Sequence, residues 1–582
     1  MSFADWNLWK TPRLLYSCYV PCFVLQWHEG LNVQSVAIIT QSTPLSPVQP
    51  TKAAQIDYRA IRHWLKICHE LHVGRCDSAR TEVPNLQVID CENRAIVPAS
   101  DHTYLTLSYL WGDVKDDSLF SEQLPESMPQ TIEDALSVTL QLGFRYLWID
   151  RYCINQQDKA ETYTQLQSMG SIYRNSYLTI IATEGHNPSY GLPGVGRRHR
   201  QPFAEAKYDN QYFRSIPNPE AVVAYSKWNV RGWTYQEGIL TRRRLVFTNE
   251  QVYFECHGMC CYESLNLPYQ EMHSSVDHRL EPKYFQTSQR GTLDKLGVFA
   301  VGHGSKQTDI YAHIDEFSNR HLSYSSDRLK AFLGILEAFR IEYGVRHLWG
   351  IPILPDPQTR VLSVESFVLG LIWGARGFQT TAIPNLPTWS WVGWSGIIRY
   401  SSRFHDISNV SLVHVQLELL TGDKIHWDTY MDGYSSIDSA KLSRFLHISA
   451  WCVPLSSVSC APSHWYEQWT CTAAMDDGSS LELKADFLTE EHSSQCYALM
   501  IKETSDSWFL LIVDKINEYE WRRVGSILVT SSGHGDFILI EAGKDVADSE
   551  TYKPKNPQIQ TRFRGQWWRH FAGLEKMTFR IG

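Results

Sequence analysis

Between residues 104 and 254, short apolar runs alternate with segments whose apolar positions recur every three or four residues, a pattern that predicts strand and helix in turn. Residues 104–109, 146–150, 177–182 and 245–248 read as strands. Residues 131–142 read as a helix with Ile132, Ala135, Leu136, Thr139 and Leu142 on one face and Gly143 as its C-cap. A second helix is expected over 159–173 behind Asp158 as N-cap, and a short third one over 233–240. Strands joined through helices lie parallel, so the region is expected to be an α/β domain with a mainly parallel, doubly wound sheet.

The texture differs on either side. Upstream, Ile56, Ala60, Trp64 and Ile67 mark a helix over 56–71, followed by a short strand pair at 86–90 and 95–97. Downstream of about residue 265 a mostly helical stretch runs through 327–339 and 361–375. From residue 386 short strands dominate, with candidates at 412–420, 446–452, 481–487, 496–502 and 508–513. Alternation would put Trp389 and Trp391 on one face of a strand. The division expected is a mixed lead-in (1–100), an α/β domain (101–265), a mostly helical segment (266–385) and a β-rich C-terminal region (386–582).

Composition narrows the class. A chain of 582 residues exceeds one ordinary hydrophobic core, and 43% apolar with 20% charged residues is a soluble globular balance. The net charge of -9 lacks the basic footprint of a nucleic-acid binder, and the cluster Arg197, Arg198, His199 and Arg200 reads as a solvated loop. Thirteen scattered Cys, an odd number, favour a reducing compartment, hence the cytoplasm. Residues 1–27 are broken by Arg13 and Pro21 and make a poor signal peptide, while 361–375 is too short, and carries Glu365, to span a bilayer.

In open α/β sheets ligands bind beyond the carboxyl ends of the strands. The polar residues gather there: Ser108, Trp111, Gly112 and Asp113 after the first strand, 150–156 after the second, and Glu184, Gly185 and His186 after the third. Each has an ordinary alternative. Leu105, Leu107 and Tyr109 read as core, Asp150 can cap a turn, Asn155 can satisfy its own loop, and Glu237 can pair with Arg231 or Arg242. Cys153 reads as a small buried hydrophobe, or as a nucleophile if a His such as His186 holds its thiolate.

Three blocks stand out: 104–113 (YLTLSYLWGD), 146–156 (YLWIDRYCINQ) and 231–237 (RGWTYQE). In order, spacing and wording they resemble the signature blocks of the fungal heterokaryon-incompatibility (HET) domain, over about residues 100–260. Arg151 stands where that family usually has a small residue. The resemblance implies an intracellular fungal effector of self/non-self recognition and programmed cell death. HET domains are regarded as distant relatives of Toll/interleukin-receptor (TIR) domains, several of which cleave NAD. Trp233-Thr234-Tyr235-Gln236-Glu237 followed by Ile239-Leu240 has the spacing of the TIR segment Trp-Cys-x-x-Glu-Leu, with Thr234 in place of its Cys.

What that likeness implies is a TIR/flavodoxin-like sheet, Glu237 as the catalytic carboxylate, and Ser108, Trp111, Asp113, Asp150, Asn155 and Trp233 lining a ligand site. NAD would be a substrate rather than a cofactor, and self-association and an unknown incompatibility partner protein would be involved. The alternatives left open are a non-catalytic signalling module of the same pathway and a hydrolase dependent on Cys153.

Two Cys/His groups raise the question of metal. Cys68, His72 and Cys76 are spaced four apart, and Cys256, His257, Cys260 and Cys261 follow a strand. Neither has paired C-x-x-C knuckles at zinc-finger spacing, and Gly74 argues against one helix reaching Cys76, so buried or capping roles are expected and no metal ligand is assigned. The glycines of 191–196 lack the Lys-Ser/Thr ending of a P-loop and include Pro193.

Overall fold

The computed structural model describes residues 22–29, 32–39, 52, 54–77, 80–112, 122–208, 211–217, 219–281, 293–376, 380–400, 413–433, 441–455, 457–462, 467–476, 478, 480–489, 495–503, 507–530, 537–540 and 571–582. The chain divides into two compact units. One holds residues 1–305, 320–322 and 330–338; the other holds 306–319, 323–329 and 339–582.

The first unit contains, in chain order, β1 (Cys22–Glu29), β2 (Asn32–Ile39), α1 (Tyr58–Leu71), β3 (Gln87–Asp90), β4 (Ala95–Pro98), β5 (Tyr104–Ser108), α2 (Gln130–Gln141), β6 (Tyr146–Trp148), α3 (Asp150–Cys153), α4 (Lys159–Asn175), β7 (Thr179–Ala182), β8 (Glu205–Tyr208), β9 (Gln211–Pro217), α5 (Pro219–Ala224), α6 (Lys227–Val230), α7 (Trp233–Leu240), β10 (Arg243–Phe247), β11 (Val252–Cys256) and β12 (Cys260–Tyr262). A four-stranded antiparallel sheet has the order β1-β2-β9-β8. The main sheet has eight strands in the order β12-β11-β10-β7-β5-β6-β3-β4.

Its centre is parallel: β10 pairs with β7, β7 with β5, and β5 with β6. Both margins are antiparallel, because they are hairpins whose short turns reverse the chain: β3–β4 on one side, β11 and β12 on the other. The expected mainly parallel sheet is therefore a mixed one, parallel only in its core. Leu107, Ile149 and Ile180 are buried there. β5, β7, β10 and β11 are buried along their whole length, as strands covered on both faces are, and that burial takes in the polar side chains of Thr106, Arg244 and Glu255 as well as the apolar ones.

Local sequence fixes the flanking helices. Asp57 caps α1 by accepting from the Arg59 and Ala60 amides, and Ile61, Trp64, Leu65, Ile67 and Cys68 form its buried stripe. Asp158 caps α4 in the same way, through the Ala160 and Glu161 amides. Gly143 follows the last turn of α2 at φ +87°, the left-handed conformation that favours glycine there. The strand expected over 146–150 stops at Trp148, and Asp150 instead starts the single turn α3.

The second unit is dominated by an eleven-stranded sheet that includes Leu442–Pro454, Cys496–Glu503, Ser507–Lys515 and Trp521–Thr530. The expected helix over 361–375 is helical only at Val364–Gly370. The chain then turns into the strand Trp373–Arg376, which pairs with Ile397–Tyr400. Trp389 and Trp391 do not share a strand, since Trp391–Gly393 is a single 3-10 turn capped by Ser390. Both indoles are nonetheless buried, their N–H groups bound to the carbonyls of Arg444 (2.9 Å) and Gly350 (2.8 Å).

No helix among the described residues is long and apolar enough to cross a membrane.

Candidate functional site

Parallel strands end on the same side of a sheet, so the ends of β5 and β6 deliver Ser108 and Asp150 to one edge. α7 precedes β10 and brings Glu237 to the same place. Ser108 Oγ–H donates to Glu237 Oε2, and Ser108 Oγ itself accepts from Trp228 Nε1 at 2.7 Å. Ser108, Trp228 and Glu237 are all buried, Glu237 being 6% exposed. Burial first, and then the neighbouring Asp150 charge, push the Glu237 carboxyl up to about 7, against the opposing pull of the Ser108 hydrogen bond and Arg231.

Asp150 carries the second carboxyl. Trp111 Nε1 lies 3.1 and 3.0 Å from its two oxygens, and the Arg151 amide donates to Oδ1 at 2.8 Å. Burial raises it to about 6, with the Arg151 amide and Arg231 acting the other way. The two carboxyls, Glu237 raised by the Asp150 charge and both drawn down by Arg231, differ in readiness to ionise, a recurrent arrangement at reactive sites.

The third block is held by a short segment from farther along the chain. The Gly232 amide donates to the His321 carbonyl (2.7 Å) and the His321 amide to that of Val230 (2.6 Å). Arg320 stacks on Tyr235, 4.6 Å from the ring centroid, and donates to Asn229 Oδ1 (2.7 Å). A Cβ on Gly232 would meet Leu322 Cδ2 at 2.5 Å, so a larger residue here would have to push the Leu322 side chain aside.

The structure thus brings Ser108 and Glu237 into contact and sets Asp150 and Trp111 beside them. Trp233 is half-buried against the sheet core. Asn155 does something else: its Oδ1 accepts from the Gln157 amide at 3.1 Å, closing its own turn. Asp113 lies outside the described residues. Glu184 is bound by Asn249 Nδ2 at 2.7 Å. The Cys153 reading fails physically, because the thiol is buried, accepts from the Ile149 amide (3.4 Å) and is pushed up to about 12 by desolvation, the opposite of an activated thiolate.

Sequence reasoning missed Trp228 and Tyr173, and it assigned Tyr109 to the core. Tyr173 is buried, donates to the Leu107 carbonyl (3.3 Å) and faces both carboxyls. Tyr109 Oη and both amide atoms of Gln236, which flank Ser108 and Glu237 in sequence, are buried without a hydrogen-bond partner among the described residues. Unsatisfied polar atoms at this depth are costly; the Tyr109 hydroxyl lies within reach of the Asp150 charge, whereas the Gln236 amide packs toward Gly334. The only sequence signal for them was adjacency to the first and third blocks.

Residues 104–237 match the family described as heterokaryon incompatibility protein (HET). The chain carries a HET domain. Neither a curated protein nor a solved structure matches the chain. The HET match begins at Tyr104, the first residue of β5, and ends at Glu237, so it spans the contact between Ser108 and Glu237 from one partner to the other. The HET domain supports a role in heterokaryon incompatibility.

Proposed function

We propose that the segment 101–265 is a TIR-like effector that, after self-association, cleaves the nicotinamide glycosidic bond of NAD and so drives cell death in self/non-self recognition. The observation that carries this reading is the Glu237 carboxyl, placed at the ends of parallel strands, bound by Ser108 and ionising near neutrality. Four central parallel strands support the TIR/flavodoxin-like kinship.

The chemistry needs few groups. Nicotinamide is a cationic leaving group and takes the electron pair of the broken C1′–N bond without a general acid. The Glu237 carboxylate orients the ribose hydroxyls and stabilises the oxocarbenium-like transition state. Water then adds to C1′, and its proton passes to Glu237. Asp150 and the half-buried rings of Trp111 and Trp233 supply hydrogen bonds and stacking surface for ribose and base.

The test is NAD consumption by the purified full-length protein, with and without crowding that forces self-association. Cleavage that disappears in Glu237→Gln supports the reading. A folded protein inert under both conditions, or an equally active Glu237→Gln, overturns it. A second reading, a non-catalytic signalling module, is favoured by the burial of Glu237; under it Glu237→Gln leaves cell death intact.

A further inference from the structure

The two Cys/His groups that look separate in sequence meet in space. Cys68 in α1, His72 at its C-cap, Cys76 in the turn beyond and Cys256 at the end of β11 bring their ligand atoms to within 4.8 Å of one another, and all four are buried. Cys68, Cys76 and Cys256 are free thiols. Cys260 and Cys261 stay out of the group, Cys260 donating instead to the Leu296 carbonyl (3.6 Å). We propose that Cys68, His72, Cys76 and Cys256 form a tetrahedral Cys3His zinc site that fastens α1 to the main sheet.

Geometry supports a single ion. Sulfurs each about 2.3 Å from one zinc at the tetrahedral angle lie about 3.8 Å apart, so the observed cluster needs only a small contraction to close on a metal. α1 ends at Leu71, and Gly74 at φ +79° turns the chain so that Cys76 comes back beneath the helix end; its amide donates to the His72 carbonyl at 2.9 Å.

The tautomer of His72 is decided by its neighbours. His273 Nδ1 is 2.5 Å from the Tyr269 carbonyl, which can only accept, so Nδ1 carries the proton of a neutral His273 and Nε2 is bare. His273 Nε2 lies 3.0 Å from His72 Nε2, which must then donate. That leaves His72 Nδ1 with a free lone pair, 3.3 Å from Cys256 Sγ and aimed into the sulfur cluster. A ligating histidine whose other nitrogen donates to an outer partner is the usual arrangement around zinc.

Charge and space agree. Three thiolates and a neutral imidazole around Zn2+ leave one net negative charge. The buried Arg243, its Nε 3.1 Å from Cys68 Sγ, opposes it while also holding Asp77. The Gly258 amide lies 3.5 Å from Cys256 Sγ, and a Cβ at 258 would sit 2.3 Å from His72 Nε2, so only glycine lets the ring take this place. Binding releases three thiol protons to solvent and involves no change of oxidation state. It also joins residues 68 and 256, far apart in sequence, which orders the lead-in helix on β11.

The experiment uses full-length protein purified under reducing conditions. Zinc is counted by elemental analysis and then exchanged for Co2+. The expected result is one metal per chain, with the thiolate-to-cobalt charge-transfer band and the intense visible bands of a tetrahedral centre. Cys256→Ser should lose the band and Cys260→Ser keep it. His72→Cys should keep the metal with a stronger charge-transfer band, and His273→Phe should weaken affinity about 10–100-fold, as loss of an outer partner does. A cooperatively folded parent with less than about a tenth of a zinc per chain and no cobalt band overturns the proposal, as does a Cys68–Cys76 disulfide in its place. Because the parent's own spectrum decides, a variant that fails to fold does not rescue the idea.

Discussion

Trp228 Nε1 stands 2.7 Å from Ser108 Oγ. An indole N–H can only donate, so the hydroxyl proton of Ser108 must point elsewhere, and the partner it finds is Glu237 Oε2. One buried ring thereby sets the direction of the hydrogen bond on the candidate catalytic carboxyl. Ser108→Ala removes that donor and leaves the Trp228 N–H unpaired. The expected cost is about 1–3 kcal/mol in denaturant melts, with Glu237 titrating above its present value of about 7 because the Ser108 bond was lowering it.

Glu237 also makes stability depend on pH in a definite sense. Its folded-state value of about 7 is raised above the unfolded one, so between roughly pH 4.5 and 7 the unfolded chain releases this proton first. The contribution of Glu237 to stability therefore falls as pH rises through that window and stays low above it. Glu237→Gln removes the ionisation, and should be about as stable as the parent at pH 5 but more stable at pH 8, by up to about 3 kcal/mol. Thermal melts at the two pH values check this, and an equal effect at both would contradict it.

Asp150→Asn tests the coupling between the carboxyls. The Asp150 charge raises Glu237, so removing it lets Glu237 ionise at lower pH, while the Trp111 N–H still finds an acceptor oxygen. The acid limb of the pH profile for NAD consumption should shift downward. Direct titration of Glu237 by carbon NMR reads the same change without relying on activity.

Gly112 turns the chain out of β5 at φ +65°, and a Cβ there would meet Asn187 Cβ at 2.6 Å. Gly112→Ala combines left-handed strain with a clash. It should cost about 1–3 kcal/mol and displace Trp111 from Asp150, seen as a change in tryptophan fluorescence.

Trp391 belongs to the second unit's core. Trp391→Ala opens a cavity and orphans the Gly350 carbonyl, and a loss of about 3–5 kcal/mol is expected, read as lower melting temperature and soluble yield. Whatever fraction stays folded should cleave NAD as the parent does; selective loss of cleavage with an unchanged melt would place this segment in the site.

The sequence by itself determined the elements whose pattern is local. The caps at Asp57 and Asp158, the glycine after α2, and the apolar runs of β5, β7 and β10 each depend on neighbours within a few residues, and so they were legible. It also placed Ser108, Asp150 and Glu237 in their blocks. Tertiary structure alone decided which of them touch, and it drew in Trp228 and Tyr173, which no pattern marked. It gave the sheet its antiparallel margins and put a 3-10 turn at Trp391–Gly393 where a strand through Trp389 and Trp391 was expected, because burying an indole and pairing its N–H depend on what packs around it. It joined Cys256 to Cys68, His72 and Cys76 as well, since a ligand set is a matter of distance in space, and spacing along the chain reports that distance only within one element.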